Sequence, residues 1–270
     1  MIQNPFPADV LTAAREGSAD ADGPIVFVHV PKCAGSTFTA FLHARFRRPF
    51  EFPWNDLDAG LDRFLAARPD DHDVAFGHLE WRHVERLIEH PRPFRFVTFL
   101  RDPVARAISN YRYCRSERHP THERFRANVP DMDAYVRQSR GMWADFVART
   151  VVGPVTDADS ALAALDRTYA FVGITEWFDL SLWVFCQRFG VPFAAPRERL
   201  NTAAGRAPDR VTITDEHRAA IAAGNAIDTP LYERVRARYR DAAPELFAEL
   251  ARTTARRPKF PWLGRHRRDG

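Results

Sequence analysis

The stretch Pro24-Ile-Val-Phe-Val-His-Val-Pro-Lys-Cys-Ala-Gly-Ser-Thr-Phe38 constrains this chain more than any other. Ile25–Val30 is a continuous β-branched and aromatic run, the pattern of a strand buried on both faces of a parallel sheet. Pro31–Gly35 reads as a turn and Ser36–Phe46 as a helix. A buried strand feeding a helix through so short a turn brings unpaired helix N-terminal amides to the strand's carboxyl end, where the helix dipole favours an anion. Gly35 lets backbone approach a ligand closely, and Ser36 and Thr37 add hydroxyl donors. The result is a phosphate cradle but not the G-x-x-x-x-G-K-[ST] loop, because Lys32 precedes Gly35 by three positions and no earlier Gly stands in the turn.

Lys32 is set apart chemically. Of 39 basic residues only two are Lys, Lys32 and Lys259. An ammonium is a compact point charge with three rotatable donors, unlike the planar guanidinium fork used everywhere else in this chain. Between a strand and a helix it suits delivery of charge to an oxyanion; an ordinary solvated lysine is the plain alternative.

A second such segment is Phe99-Leu-Arg-Asp-Pro-Val-Ala-Arg-Ala-Ile-Ser-Asn-Tyr111. Phe94–Leu100 is a strongly apolar strand. Asp102-Pro103 then reads as an N-cap followed by Pro at N1, opening a helix to about Arg115. Arg101 stands at the strand's carboxyl end and Ser109 two turns into the helix. A guanidinium fork plus a hydroxyl suits a second phosphate. Taken singly, Arg101 also fits a surface salt bridge and Ser109 a packed helix face.

Elsewhere the sequence predicts helices at Leu57–Ala67, Trp81–His90, Ala161–Arg167, Trp177–Phe189, Asp215–Ala223 and Pro230–Arg240, and strands at Val74–Gly77 and Phe171–Thr175. Strands alternating with helices specify an α/β protein with a P-loop-like parallel sheet and helices on both faces. Ligands of such sheets bind beyond the carboxyl ends of the strands, here after Val30, Phe76 and Leu100. Residues 1–23 read as a loose leader, 24–250 as a single domain interrupted by an Arg- and His-rich segment at 116–150, and 251–270 as a basic tail.

Composition sets outer bounds. Hydrophobic residues at 45% and aromatics at 12% can fill a core. No run approaches the roughly 20 apolar residues of a membrane span. The start of the chain shows no basic segment followed by an apolar run, so no signal peptide is expected. Cys33, Cys114 and Cys186 lack metal-ligand spacing and read as free thiols in a reducing compartment, which makes the cytoplasm the expected location. Arg252, Arg256, Arg257, Lys259, Arg265, Arg267 and Arg268 give the tail its charge. It suits an acidic polymer or an anionic membrane surface, or is simply a solvated end.

"HVPKCAGSTF" followed by "TFLRDPVARAISNY" resembles the nucleotide-binding pair of sulfotransferases that use 3′-phosphoadenosine 5′-phosphosulfate (PAPS), closest in flavour to the heparan sulfate and uronyl 2-O-sulfotransferases. "FVGITEWFDLSLWVF", with Leu200-Asn201, resembles a later element of the same family. The resemblance implies the sulfotransferase fold, with Lys32, Cys33, Ala34, Gly35, Ser36 and Thr37 around the 5′-phosphosulfate and Arg101 and Ser109 on the 3′-phosphate. Cys33 departs from the family's usual Thr and substitutes a weak S–H for a hydroxyl. The 2-O-sulfotransferase group places a Gly-His where Gly77-His78 stands here, which makes His78 the base for the acceptor hydroxyl. Imidazole suits proton transfer near neutral pH. Glu80 is the runner-up base.

The expected activity is transfer of a sulfuryl group from PAPS to a hydroxyl, by in-line displacement, with a saccharide or glycoconjugate as acceptor and the 116–150 insertion on the acceptor side. The scheme requires no metal, and no nucleic-acid partner is expected. Trp54, in a Pro-flanked loop, is the residue to stack on a glycan, and the arginines between Arg112 and Arg126 suit an acidic acceptor or a solvated surface. A P-loop kinase using ATP-Mg is one rival; it needs a carboxylate at a strand end, and only Asp102 offers one. A non-catalytic module that holds a nucleotide or polyanion is the other.

Overall fold

A computed structural model describes residues 23–142, 144–194 and 212–253. The leader before Gly23, Leu200, Asn201 and the tail beyond Thr253 lie outside the described residues. Five strands form one all-parallel sheet: β1 (Ile25–Val28), β2 (Pro49–Glu51), β3 (Val74–Gly77), β4 (Arg95–Leu100) and β5 (Tyr169–Ile174), in the spatial order β2-β3-β1-β4-β5. The flanking helices are α1 (Gly35–Arg45), α2 (Leu57–Ala66), α3 (Trp81–Ile88), α4 (Pro103–Arg115), α5 (His122–Asn128), α6 (Met132–Met142), α7 (Ala158–Thr168), α8 (Phe178–Phe189), α9 (Asp215–Ala223) and α10 (Asp228–Thr253).

This order has one reversal. From β1 the chain goes outward to β2, returns through β3, then crosses β1 to β4. Crossovers between parallel strands are right-handed, so the reversal sends α1 to the face opposite α2 and α3. It also opens a crevice at the carboxyl end of β1, flanked by the ends of β3 and β4. The loops carrying Lys32, His78 and Arg101 therefore converge by topology alone.

The core is apolar and aromatic. Val26, Phe27, Leu42, Phe64, Val97, Phe99 and Val172 are fully buried. Phe38 of α1 meets Phe27, Phe99 and Phe185 at 4.8, 4.8 and 4.9 Å between ring centroids, which locks α1 and α8 onto the same face of the sheet. A smaller apolar cluster joins Ala107, Ile108 and Tyr111 of α4 to Val129, Met132 and Tyr135, so α4 is covered on its outer side by the segment read as an insertion.

Two elements differ from the sequence reading. β2 carries no apolar run and is only three residues long; it pairs with β3 because Phe50 and Phe52 pack on Phe64. The helix expected at Pro230–Arg240 extends over Asp228–Thr253, through Pro244. The 116–150 segment carries the helices α5 and α6.

Two carboxylates, the half-buried Asp145 and the buried Asp228, fix the start of α10. Asp145, at φ 44°, accepts from the amides of Ile227 (2.7 Å) and Asp228 (2.9 Å), while Asp228 accepts from the amides of Val147 and Ala148, both at 2.8 Å. Each acid thus caps the other's helical segment. Asp228→Ala leaves two buried amides without acceptors, and the expected loss is about 2–4 kcal/mol in a urea unfolding titration, with Asp228→Asn milder.

Candidate active site

The phosphate-type loop begins where Pro31, lacking an N–H, stops the ladder after β1. Lys32 (φ 69°) and Ala34 (φ 59°) both take the left-handed conformation that L-residues avoid, each costing on the order of 1 kcal/mol or more. Glycines would ordinarily stand at such positions. The curled backbone turns successive amides inward like an anion nest. The amides of Ala34 and Gly35 have no acceptor among the described residues. Ser36 is exposed in the first turn of α1 and Thr37 is buried.

Cys33 is placed differently from the expectation of a side-chain contact in the cradle. Its thiol is 1% exposed within the apolar core, and burial pushes its pKa up to about 12. Its amide donates to the Val30 carbonyl at 3.2 Å. Neither group is available to a ligand.

Lys32 is half-buried, with Nζ 3.9 Å from the centroid of the Tyr113 ring. Burial lowers the ammonium pKa; the nearby Arg101 and Arg118 add to this, against Cys114 and Cys33. Arg101 donates from Nη1 to the Lys32 carbonyl at 3.1 Å, so the β4 end grips the loop directly. Asp102 is the N-cap of α4, accepting from the Ala105 amide at 2.7 Å, with Pro103 at the first helical position. Ser109 lies half-buried two turns into α4 and makes no hydrogen bond to Arg101 among the described residues. Tyr113 follows Ser109 by four positions, on the same helical face. That spacing was the available signal for Tyr113. No local signal points to Glu176, whose Oε1 accepts from the Asp102 amide at 3.2 Å.

His78 sits just beyond β3. Its Nδ1 lies 2.8 Å from the His29 carbonyl oxygen. A carbonyl only accepts, so Nδ1 carries the proton and, in the neutral ring, Nε2 keeps its lone pair. The ring stacks on His29 at 4.1 Å between centroids, and the outer part of the residue is exposed. Burial of the remainder lowers the pKa, opposed by the bond to the His29 carbonyl and by the charge of Glu51. Glu80, the alternative base, is held by Arg82 (Nε to Oε2 3.1 Å), which also binds Asp58 from α2.

His29, expected to be a packed residue, is one. Its ring abuts α1 so closely that a Cβ on Gly35 would fall 1.8 Å from its Nε2. Gly35 is thus required by the ring beneath it. His72 packs on Phe50 and Phe64. Among the described residues no group of His, Cys, Asp and Glu is arranged to hold a metal ion. Trp54 is 84% exposed at the carboxyl edge of β2, and of the Arg112–Arg126 basic residues Arg115 and Arg126 are tied to backbone carbonyls while Arg112, Arg118 and Arg124 are exposed. No helix of the described residues is long and apolar enough to cross a membrane.

Comparison with known proteins agrees in class. The model of the Sulfotransferase family matches residues 19–148, just under half of the chain, and this supports a sulfotransferase family and sulfuryl transfer in general. No curated protein matches the chain. Among solved structures, the chain is similar to mouse sulfotransferase SULT7A1 complexed with PAP, at 16% identity and a TM-score of 0.40, covering 93% of this chain and 91% of that one.

Burial pushes the His29 imidazole down to about 3, helped by the nearby His78 and Lys32. The folded value is below the ordinary 6.5, so the unfolded chain takes the proton first. The stability His29 contributes is full above pH 6.5 and declines as pH falls towards 3. Unfolding free energy measured across that window is expected to fall less steeply in His29→Phe than in the wild type, by roughly 1.4 kcal/mol per pH unit.

Proposed function

We propose that the protein is a PAPS-dependent O-sulfotransferase acting on a hydroxyl of a saccharide or glycoconjugate. The observation that carries the reading is the 2.8 Å contact of His78 Nδ1 with the His29 carbonyl: with Nδ1–H donated there, Nε2 of the neutral ring is an unprotonated base beside a phosphate-type loop. The residues fit the cofactor. Lys32 and the Ala34 and Gly35 amides form a cationic, donor-rich end for the phosphosulfate, and Ser36 stands exposed at its edge. Arg101 and Ser109 on the β4–α4 unit would hold the 3′-phosphate. Bound PAPS supplies the activated sulfuryl group and departs as the 3′,5′-bisphosphate.

The chain's own part is positional and electrostatic. His78 takes the acceptor hydroxyl's proton at Nε2. Lys32 and the α1 N-terminus stabilise negative charge on the phosphate side. The lowered pKa of Lys32 goes with a site partly closed to water, where a charge acts more strongly than in solution. Trp54 supports a saccharide acceptor. It is held on a braced turn, with Phe52 buried, Pro53 packed on Gly60 and Asp56 capping α2. An indole presented this way offers a flat apolar face for the C–H face of a sugar.

Calorimetric titration with adenosine 3′,5′-bisphosphate, beside adenosine 5′-monophosphate and ATP-Mg, tests the cofactor. Micromolar binding of the bisphosphate is expected, weakened about 10- to 100-fold in Arg101→Ala as a charge-assisted contact is lost. Preference for ATP-Mg would overturn the reading. His78→Ala is expected to lower transfer by roughly 10²- to 10⁴-fold with bisphosphate affinity unchanged. Neutral His78 is the active form and its pKa is lowered, so the acid limb of turnover should fall below 6.5. The groups facing it, His29 just beyond β1 and Glu51 from β2, oppose one another only weakly: His29 stays neutral and Glu51 is exposed. Trp54→Ala should raise the acceptor KM several-fold with little change in kcat; an unchanged KM would remove Trp54 from the acceptor site.

A further inference from the structure

His29 is a titratable side chain in the middle of the site that the chemistry above does not use. Its backbone has an evident role. The amide donates to the Gly77 carbonyl at 2.8 Å, continuing the β1–β3 ladder one residue past both strands, and the carbonyl takes the His78 Nδ1–H. Its ring is placed with equal care. Phe27 and His29 lie on one face of β1 by strand alternation. Their rings stack at 5.4 Å between centroids and 16° between planes, and His29 stacks in turn on His78 at 4.1 Å and 28°. On its other flank the ring fills the space above Gly35. The imidazole is therefore wedged between the phosphate loop's helix and the base.

We propose that His29 is a positioning residue whose neutral ring clamps His78 in the plane where its Nδ1–H meets the His29 carbonyl, so that Nε2 is presented unprotonated to the acceptor. The inference deepens the role of His78 proposed above and rests on it for its consequence in turnover, but not for the geometry itself. A single hydrogen bond leaves an imidazole free to rotate about Cβ–Cγ and to exchange tautomers. The Nδ1–H form is the minority tautomer of a free histidine, so something must favour it here. A flat face at stacking distance removes the rotation and holds the bond short. Position 29 requires a ring that stays uncharged next to Lys32 and the α1 N-terminus; a cation there would repel Lys32 and oppose the dipole. His29 meets this requirement, since desolvation of its ring, His78 and Lys32 all hold its pKa far below neutrality.

The test uses the full-length protein with ¹⁵N-labelled histidine. Proton–nitrogen correlation of the His78 ring reports the tautomer without any need for an acceptor. The wild type is expected to show Nδ1–H with a bare Nε2. His29→Phe, which keeps a neutral flat face, should show the same, and His29→Ala should move to a mixture with Nε2–H. In turnover, His29→Ala is expected to lose roughly 10- to 100-fold in kcat, with acceptor KM and bisphosphate affinity nearly unchanged, and His29→Phe to stay within a few-fold of wild type. Wild-type tautomer and turnover in His29→Ala would overturn the proposal. So would a His29→Phe protein as slow as His29→Ala, since a ring nitrogen rather than a ring face would then be needed. If His29→Ala does not fold, His29→Phe decides alone: retained Nδ1–H upholds the clamp and its loss refutes it. A fully active His78→Ala would remove the base assignment, while the tautomer measurement would still decide whether His29 holds the ring.

Discussion

The backbone of His29 is the join on which this site depends. One residue beyond β1, its amide donates to Gly77 and its carbonyl receives the His78 ring proton. A parallel ladder normally ends where its strands end. Here it is continued for one more rung by main chain and then capped by a side chain. That fixes the distance between the phosphate loop and the His78 loop through hydrogen bonds rather than through side-chain packing, which tolerates more displacement. Arg101 makes the matching join on the other side, reaching the Lys32 carbonyl from β4. The loop is thus held from both neighbouring strands, at the point where the strand order reverses.

Such anchoring is what permits the strain in the loop. Lys32 and Ala34 both hold positive φ without being glycine, a conformation that persists only where the surroundings over-determine it. The buried Cys33 between them is a pin: its thiol is in the core and its amide closes on Val30. With Cys33 held in this way, the backbone curls on either side of it, at Lys32 and at Ala34. The apolar thiol at this place anchors the loop in the core.

Much of this was legible in the sequence because it is local. The strand–turn–helix at 25–46 and the Asp102-Pro103 cap are written in consecutive residues, and the alternation of apolar runs with helical segments forces a parallel sheet. What was not legible depends on partners distant in the chain. β2 has no run of its own and exists because Phe50 and Phe52 find Phe64. Glu176 reaches the Asp102 amide across 74 positions. The mutual caps of Asp145 and Asp228 join segments 82 and 83 apart at one acid and 81 and 80 apart at the other. His29 was visible as a packed residue, but its stack on His78 requires β1 and β3 to be neighbours, which no local pattern states.

The contrast between Lys32 and the arginines follows from the same geometry. Arg101 acts at the loop through a guanidinium that binds one carbonyl and leaves other donors of its fork for a ligand. Lys32 has no such second task. Its ammonium lies over the Tyr113 face in a partly desolvated position where a cation–π contact offsets lost hydration. A guanidinium is bulkier, keeps its charge under all ordinary conditions and orients its donors in a plane. A flexible four-carbon stem carrying a point charge can leave an aromatic face for an oxyanion by rotation alone, because its three donors have no plane to align. In a chain that supplies positive charge almost wholly as Arg, that mobility within a rigid loop is a physical reason for Lys at position 32.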